Sequence, residues 1–396
     1  MSSFVAVVPA RRFRRTFCFG IAATALFIMT MLRPAVAQSE FEQKWQALIL
    51  AAQKEGELVV LFGGGAGRVF GPPLQHFGKK FGIRVIAPPG SGTPLTNRIL
   101  AERQAGRYTA DVIHMSLDSV SGRLIPAGVL DDLRPELIHP EVTNESLWYK
   151  GHHWWADKDH KYYFIHAART RNSSLEMRIN TNLVTEADVA KVSSVWDMLE
   201  DKWKGKFVAL PPTNAGAGQT WAAEYFNPYV GKEWLTRFIT EMKVNFVNDV
   251  RQIGDGMATG RYSVAINVGA AGNDIDAMTT RGMPLAIFEK PLKEPGYMST
   301  SGQGMIGIAS NRPHPNATRL FVNWWLSREG QTIVQTMTTE NVIQSMREDG
   351  IPLDNTKESE RRVPGVNYWF PMADNTYLEG MEEARLWAAA LYRATR

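Results

Sequence analysis

Three times between residues 58 and 119 the chain runs from an apolar strand into a loop of small residues and then into a helix, and this order constrains the fold more than any other feature. Leu58 to Phe62 reads as a buried strand running into Gly63-Gly64-Gly65-Ala66-Gly67, with a helix onward to Gly82. Ile83 to Ile86 is the second strand, running into Pro88-Pro89-Gly90-Ser91-Gly92-Thr93, and Leu95 to Gln104 is its helix. Asp111 to Met115 is the third, ending at Ser116-Leu117-Asp118-Ser119. A helix with Phe41, Trp45, Leu48 and Ala52 on one face, stopped by Gly56, precedes them. Repeated units of this kind build a parallel sheet whose loops gather at the carboxyl ends of the strands, where open α/β sheets bind ligands.

Residues 1–37 read as an export signal. They hold Arg11, Arg12, Arg14, Arg15 and Arg33 and no acid, an apolar run from Phe17 to Leu32, and the small-x-small triplet Ala35-Val36-Ala37. Cleavage is expected after Ala37, because the run is short for a membrane span. Arg14-Arg15-Thr16-Phe17 resembles the core of a twin-arginine signal, with Phe13 in the preceding position.

The signal accounts for the basic character of the chain. There are 44 Lys plus Arg against 40 Asp plus Glu, and the 5 arginines of residues 1–37 leave with the signal, so the remainder holds 39 against 40. A nearly neutral mature chain gives no case for nucleic-acid or membrane binding. The single cysteine, Cys18, also leaves. The mature chain is therefore expected to lack a disulfide, a thiolate nucleophile and Cys-ligated zinc. Its length exceeds what one hydrophobic core usually serves, so two lobes are expected.

Ser310 to Gln331, SNRPHPNATRLFVNWWLSREGQ, places Leu320, Phe321, Trp324 and Trp325 on one broad helix face, with Ser327 to Gln331 closing the helix. In its wording this block closely resembles the corresponding segment of family 1 extracellular solute-binding proteins of ABC importers. AAQKEGELVVLFG, FGKKFGIRV, AGVLDDLRP, MRINTNLV, SSVWDMLEDKWKGKFVALPPTNAGAG and GMATGRYSVAINVG carry the same resemblance, in order, over residues 41–345. The resemblance implies an α/β, two-lobed periplasmic-binding-protein-like fold (type II), with a ligand cleft between lobes joined by crossing strands. It places lobe 1 at residues 38–140 plus 297–345 and lobe 2 at 141–296 plus 346–396. It implies a monomeric periplasmic protein with a small-molecule ligand and an ABC permease as partners, no cofactor and no catalysis.

The candidate ligand contacts lie in the loops. The glycine run containing Gly64 and Gly65, followed by Arg68, does not meet the dinucleotide fingerprint, and reads either as a cradle for an anion or as a tight turn. Ser91, Gly92 and Thr93 repeat the arrangement, with Thr93 at an N-cap and Pro94 at the first helical position. Ser116 and Asp118 occupy the third loop, as ligand contacts or as a helix cap. On the opposite side, Thr213, Asn214, Gly216, Gly218 and Gln219 suit a helix start facing a ligand, with Trp221 available to cover an apolar part, or else a flexible loop. Asn267, Gly269 and Asn273 follow a strand over Tyr262 to Ile266.

In ferric-binding relatives this last region provides an adjacent tyrosine pair. Val268, Gly269, Ala270 and Ala271 offer no phenolate here, which disfavours a hard ferric ion. Tyr162 and Tyr163 are adjacent, but strand alternation points them to opposite faces. His152, His153, Asp157, Asp159 and His160 match no trusted zinc spacing and read as a solvated hairpin tip rather than a metal-dependent hydrolase site. G-x-S-x-G and S-x-x-K are both absent. Arg68, Arg169, Arg171 and Arg251 can each clamp a carboxylate or phosphate, or serve as salt-bridge partners. The expected solute is a small organic anion. The alternatives are ferric ion, or a cationic or aromatic solute countered by Asp118, Asp249 or Asp274.

Overall fold

The computed structural model describes residues 40–63, 69–88, 90, 92–269, 271–300, 302–338 and 343–396. The chain divides after Ala51 into two compact units. Helix α1 covers residues 40–55. Within the first unit, its Phe41 and Trp45 rings stack at 5.8 Å and its Lys44 ammonium reaches Glu40 at 2.7 Å, both pairs one turn apart. All other elements lie in the second unit, Ala52–Arg396.

There, β1 (Glu57–Phe62) pairs in parallel with both β2 (Arg84–Ile86) and β3 (Val112–His114). Helices α2 (Gly71–Phe81) and α3 (Gly92–Gln104) make the intervening crossovers. The thrice-repeated pattern therefore gives the expected parallel sheet. Its other half is antiparallel. β13 (Met305–Ile308) runs against β3, and β5 (Phe164–Ile165) and β4 (Trp154–Trp155) complete the order β2-β1-β3-β13-β5-β4. Residues 154–165 thus extend this sheet, although they fall after the boundary expected at residue 141. The edge of β13 accepts them, and no local pattern announces such a partnership.

The tryptophan-rich segment forms α8 (Pro315–Leu326), and burial covers more than one face: every residue from Leu320 to Leu326 is buried. Glu55 caps its start, accepting from the backbone N–H of Asn316 at 3.0 Å and of Ala317 at 2.8 Å. Asp111, fully buried, fixes the turn before it by accepting from His314 N at 2.9 Å and Nδ1 at 2.8 Å, and from Val59 N at 2.7 Å. Buried Asn323 uses its whole amide: Oδ1 accepts from Ile138 N and His139 N, each at 2.8 Å, and Nδ2 donates to Glu136 O and Arg319 O. Ser327 closes the helix as expected: it is extended, and its N–H bonds back to Asn323 O and Trp324 O. Arg328 to Gln331, expected to belong to the closure, instead open a second helix, α9 (Arg328–Met337), which Ser327 also caps, accepting from Gly330 N at 3.2 Å. Only glycine fits at 330, where a Cβ would lie 1.9 Å from the Trp324 carbonyl oxygen.

A five-stranded sheet carries its own core. Its order is β11 (Leu285–Ile287), β7 (Arg178–Asn180), β10 (Val264–Ala265), β8 (Phe207–Ala209) and β9 (Asn245–Phe246). Its core includes Trp203, Phe207, Trp221, Trp234 and Phe238, and the last two rings stack at 4.7 Å. Around this sheet lie α4 (Ala215–Phe226), α5 (Gly231–Glu241), α6 (Val250–Ala258) and α7 (Ala271–Thr280). A three-stranded ribbon holds β12 (Gly296–Ser299) between β14 (Tyr368–Trp369) and β6 (Arg169–Arg171). The C-terminal helix α10 (Asn375–Ala394) packs along α4.

Candidate functional site

Of the loops at the carboxyl ends of β1 to β3, Gly64, Gly65, Arg68 and Ser91 lie outside the described residues. Gly92 opens α3, and its carbonyl accepts from Thr96 Oγ1 at 2.8 Å. Thr93 is exposed inside the first turn and is not the cap expected for it. Ser116 is exposed and extended ahead of a single turn at Leu117–Ser119; it makes no side-chain cap, and its hydroxyl meets Ser119 Oγ at 3.2 Å. Asp118 in that turn is half-buried. Burial pushes its carboxyl up to about 6, while Arg385 of α10 opposes the shift and Glu382 adds to it.

After β8, Thr213 is exposed and Asn214 caps α4, its Oδ1 accepting from Ala217 N at 3.3 Å. Gly216 lies in the first turn of α4 and half-buried Gln219 in the next. Gly218 is tightly enclosed: a Cβ there would meet Pro212 O at 2.8 Å and Arg385 Cγ at 3.0 Å. Trp221 does not cover a ligand. It is fully buried in the core, and its Nε1 donates to Leu210 O at 3.0 Å.

After β10, Asn267 adopts a left-handed conformation (φ 49°), is buried, and donates from Nδ2 to Ala217 O at 3.2 Å. Its amide nitrogen thus ties the loop after β10 to the first turn of α4. Gly269 (φ 53°) is exposed. Asn273 is exposed on the first turn of α7. That turn rests on a buried cation that sequence reasoning missed. A Cβ at Gly272 would lie 2.7 Å from the Arg178 guanidinium, which pairs with Asp276 at 2.9 and 3.3 Å.

Asn273 borders a cleft of about 810 Å³ whose walls are α7, Arg169 of β6, Gln303 ahead of β13, Ile343, Lys357 and Glu360. Its charges are mostly paired. Glu360 holds Arg171 at 2.7 Å, Arg178 holds Asp276, and Lys357 stands 3.8 Å from Asp276. Burial alone would raise Glu360, but Arg171 and then Arg169 keep its carboxyl below the usual range. Arg169 makes no hydrogen bond or ion pair among the described residues, so a half-buried guanidinium lines the cleft with only the longer-range attraction of Glu360. Arg169 was legible as a candidate clamp. Asp276, Gln303, Lys357 and Glu360 were not, because they come from separate segments with no shared motif. Arg251 instead heads α6, its N–H bonded to the Asp249 cap at 2.9 Å.

Tyr163 is fully buried, and its hydroxyl donates to Met115 O at 2.6 Å and accepts from Met115 N at 2.7 Å, so its phenol is committed to the sheet. Lys161 stands over the ring of Tyr162 at 4.6 Å. Asp157 is not solvated as the hairpin-tip reading expects. It is buried, and its carboxylate accepts from the N–H of Lys161, Tyr162 and Tyr163 at 3.1, 3.0 and 2.9 Å. Among the described residues no three His, Cys, Asp or Glu side chains gather as a metal site, and no helix is long and apolar enough to cross a membrane.

Solved structures resemble this fold at low sequence identity. An ABC transporter protein from Clostridium perfringens aligns at TM-score 0.61 and 13% identity, covering 85% of this chain and 99% of that one. A Trichodesmium protein in complex with iron and citrate gives 0.59 and 18%, covering 86% and 99%. The periplasmic binding protein AfuA from Actinobacillus pleuropneumoniae, with fructose-6-phosphate bound, gives 0.53 and 15%, covering 86% and 98%. No curated protein sequence matches. The profile of the bacterial extracellular solute-binding proteins matches residues 74–345. With more than half its length matched and a mixed α/β periplasmic-binding-protein-like fold, the chain belongs to this family, the solute-capturing components of ABC importers.

Proposed function

We propose that the solute is a small organic anion, held in the cleft beside α7 with Arg169 as its charge partner. The observation that carries this reading is at Arg169: Arg171 and Arg178 are each held by a carboxylate in contact, and Arg169 makes no such contact among the described residues. A guanidinium offers a planar fork of donors that matches a carboxylate or phosphate. The start of α7, with Asn273 in its first turn, adds backbone N–H groups and the positive end of a helix dipole. The fructose-6-phosphate bound to the Actinobacillus relative is an anion of this class.

Capture works by closure of two lobes. The first centres on the six-stranded sheet and the second on the five-stranded sheet, and β6 and β12 cross between them. The proposed division follows the expected segments but assigns residues 141–167 to the first lobe, because β4 and β5 join the six-stranded sheet and Trp148 packs edge-on against Phe164 of β5. Solute touching both sides favours the closed form, which the permease recognises. The protein acts as a monomer in the periplasm, releases the solute unchanged, and begins at Gln38 after signal cleavage.

Isothermal titration calorimetry of the chain from Gln38 tests the reading, using sugar phosphates, phosphonates, small carboxylates, ferric citrate and polyamines. One class of organic anion should bind, with binding lost in Arg169→Ala. Binding of ferric ion or a polyamine that Arg169→Ala leaves unchanged would overturn it. Small-angle scattering with and without the bound solute tests closure, and the intact mass of exported protein tests the cleavage site.

A further inference from the structure

A second cavity, of about 590 Å³, opens between Tyr149-Lys150 and the segments around residues 344–353 and 362–367. It shares no lining residue with the cleft at Arg169. Arg362 lies over the Tyr149 ring, its Cζ 4.9 Å from the centroid, and Lys150 Nζ approaches the same ring at 5.4 Å. The Arg362 guanidinium donates only to Ser345 O and, weakly, to Met346 Sδ at 3.6 Å, and no carboxylate pairs with it among the described residues. Five N–H donors therefore meet two acceptors. Arg347 in the same wall differs. It holds Asp349 at 2.9 Å and donates to Glu141 O and Leu326 O at 2.9 and 3.1 Å.

Lys150 has no ion pair, and the buried Tyr149 makes no hydrogen bond through its hydroxyl, among the described residues. Burial pushes Arg362 down to about 10, and Glu348, Tyr149 and Tyr368 oppose that shift. Glu348 is exposed and not bonded to Arg362, so solvent screens what it offers. At the rim, Val363 and Val366 are 52% and 40% exposed.

We propose that this cavity is a second anion site, in which the carboxylate or phosphate of a small amphipathic solute sits between Arg362, Lys150 and the Tyr149 hydroxyl, its apolar part against Val363 and Val366. The chemistry follows from the lining: Glu348, its one carboxylate, is exposed and not bonded to Arg362, which leaves the donors free for an acceptor with two or more oxygens. The apolar rim favours a solute with a short hydrocarbon portion over a bare inorganic ion.

The test is calorimetric and uses the Arg169→Ala chain, so that anion binding in the other cleft does not contribute and failure of that reading does not bear on this one. The probes are inorganic phosphate, acetate and hexanoate. One site should bind hexanoate more tightly than acetate. Arg362→Gln should weaken it by about tenfold, the effect of losing a charge-assisted hydrogen bond. Because Arg362→Gln also removes a bond to Ser345 and can harm folding, Tyr149→Phe serves as the second variant, and it should weaken binding with an unchanged circular dichroism spectrum. The proposal is overturned if no probe binds at about 10 mM, a weak limit for a built site. It is equally overturned if probe binding is indifferent to both Arg362→Gln and Tyr149→Phe.

Discussion

Glu360 holds the Arg171 guanidinium at 2.7 Å, while Arg169, two residues earlier on the same strand, makes no ion pair among the described residues. Two arginines of one short strand thus have different duties. Arg169→Ala should reduce solute affinity by about 10- to 100-fold with little change in stability, the range for a hydrogen-bonded charge partner. Arg171→Ala should leave Glu360 buried without its cation and cost about 3 kcal/mol of stability. Calorimetry and urea unfolding on both variants separate the two effects.

Glu224 on α4 is buried, and burial pushes its carboxyl up to about 7; Ser174 and Asn227 bond one oxygen and the other has no partner. The folded chain therefore prefers the protonated acid. Its contribution is fully present below the unfolded value near 4.5 and is lost as pH rises to about 7, by about 3 kcal/mol. Glu224→Gln should remove that loss, seen as a higher unfolding free energy relative to wild type at pH 7.5 than at pH 5.

His166 runs the other way. Burial pushes it down to about 3, and His114, whose ring lies 5.8 Å away, is also held well below its ordinary value by burial and then by His166. The unfolded chain takes up protons first, so stability falls as pH drops below about 6.5, by about 2 kcal/mol at pH 5 for His166. Between pH 5 and 7 this trend opposes that of Glu224. Urea unfolding of His166→Asn across this range should show a stability that rises less, or falls more, with rising pH than in wild type.

Asn323→Ala removes the acceptor for the N–H groups of Ile138 and His139. Two part-buried donors without partners should cost about 2 kcal/mol. A loss below about 1 kcal/mol by urea unfolding would mean that water or a shifted backbone satisfies them.

The parallel half of the first sheet was legible because its strands run into loops of small residues, and α8 from its dense aromatic pattern, whereas the antiparallel partners β13, β5 and β4 were not. The stop after Leu326 was legible too, but the helix that follows it was not, since Ser327 followed by Gly330 reads as a closing signal and also begins a new helix. Trp221 misled for a related reason: a tryptophan one turn beyond a loop fits a ligand cover and a core anchor equally well, and only the position of Leu210 decides. The cleft was half legible. Asn273 and Arg169 stood out by type and place, whereas Asp276, Gln303, Lys357 and Glu360 meet only through the crossing of distant segments.

Helix α10 lies beyond residue 345, where the family match ends, yet it runs along α4 and places Arg385 against Gly218, next to one loop of the site and within electrostatic reach of Asp118 in another. This helix thus braces, from outside the stretch that the family match covers, loops that lie within it. A substitution at Arg385 can therefore shift the loop at Gly218 without changing any residue of the loop itself.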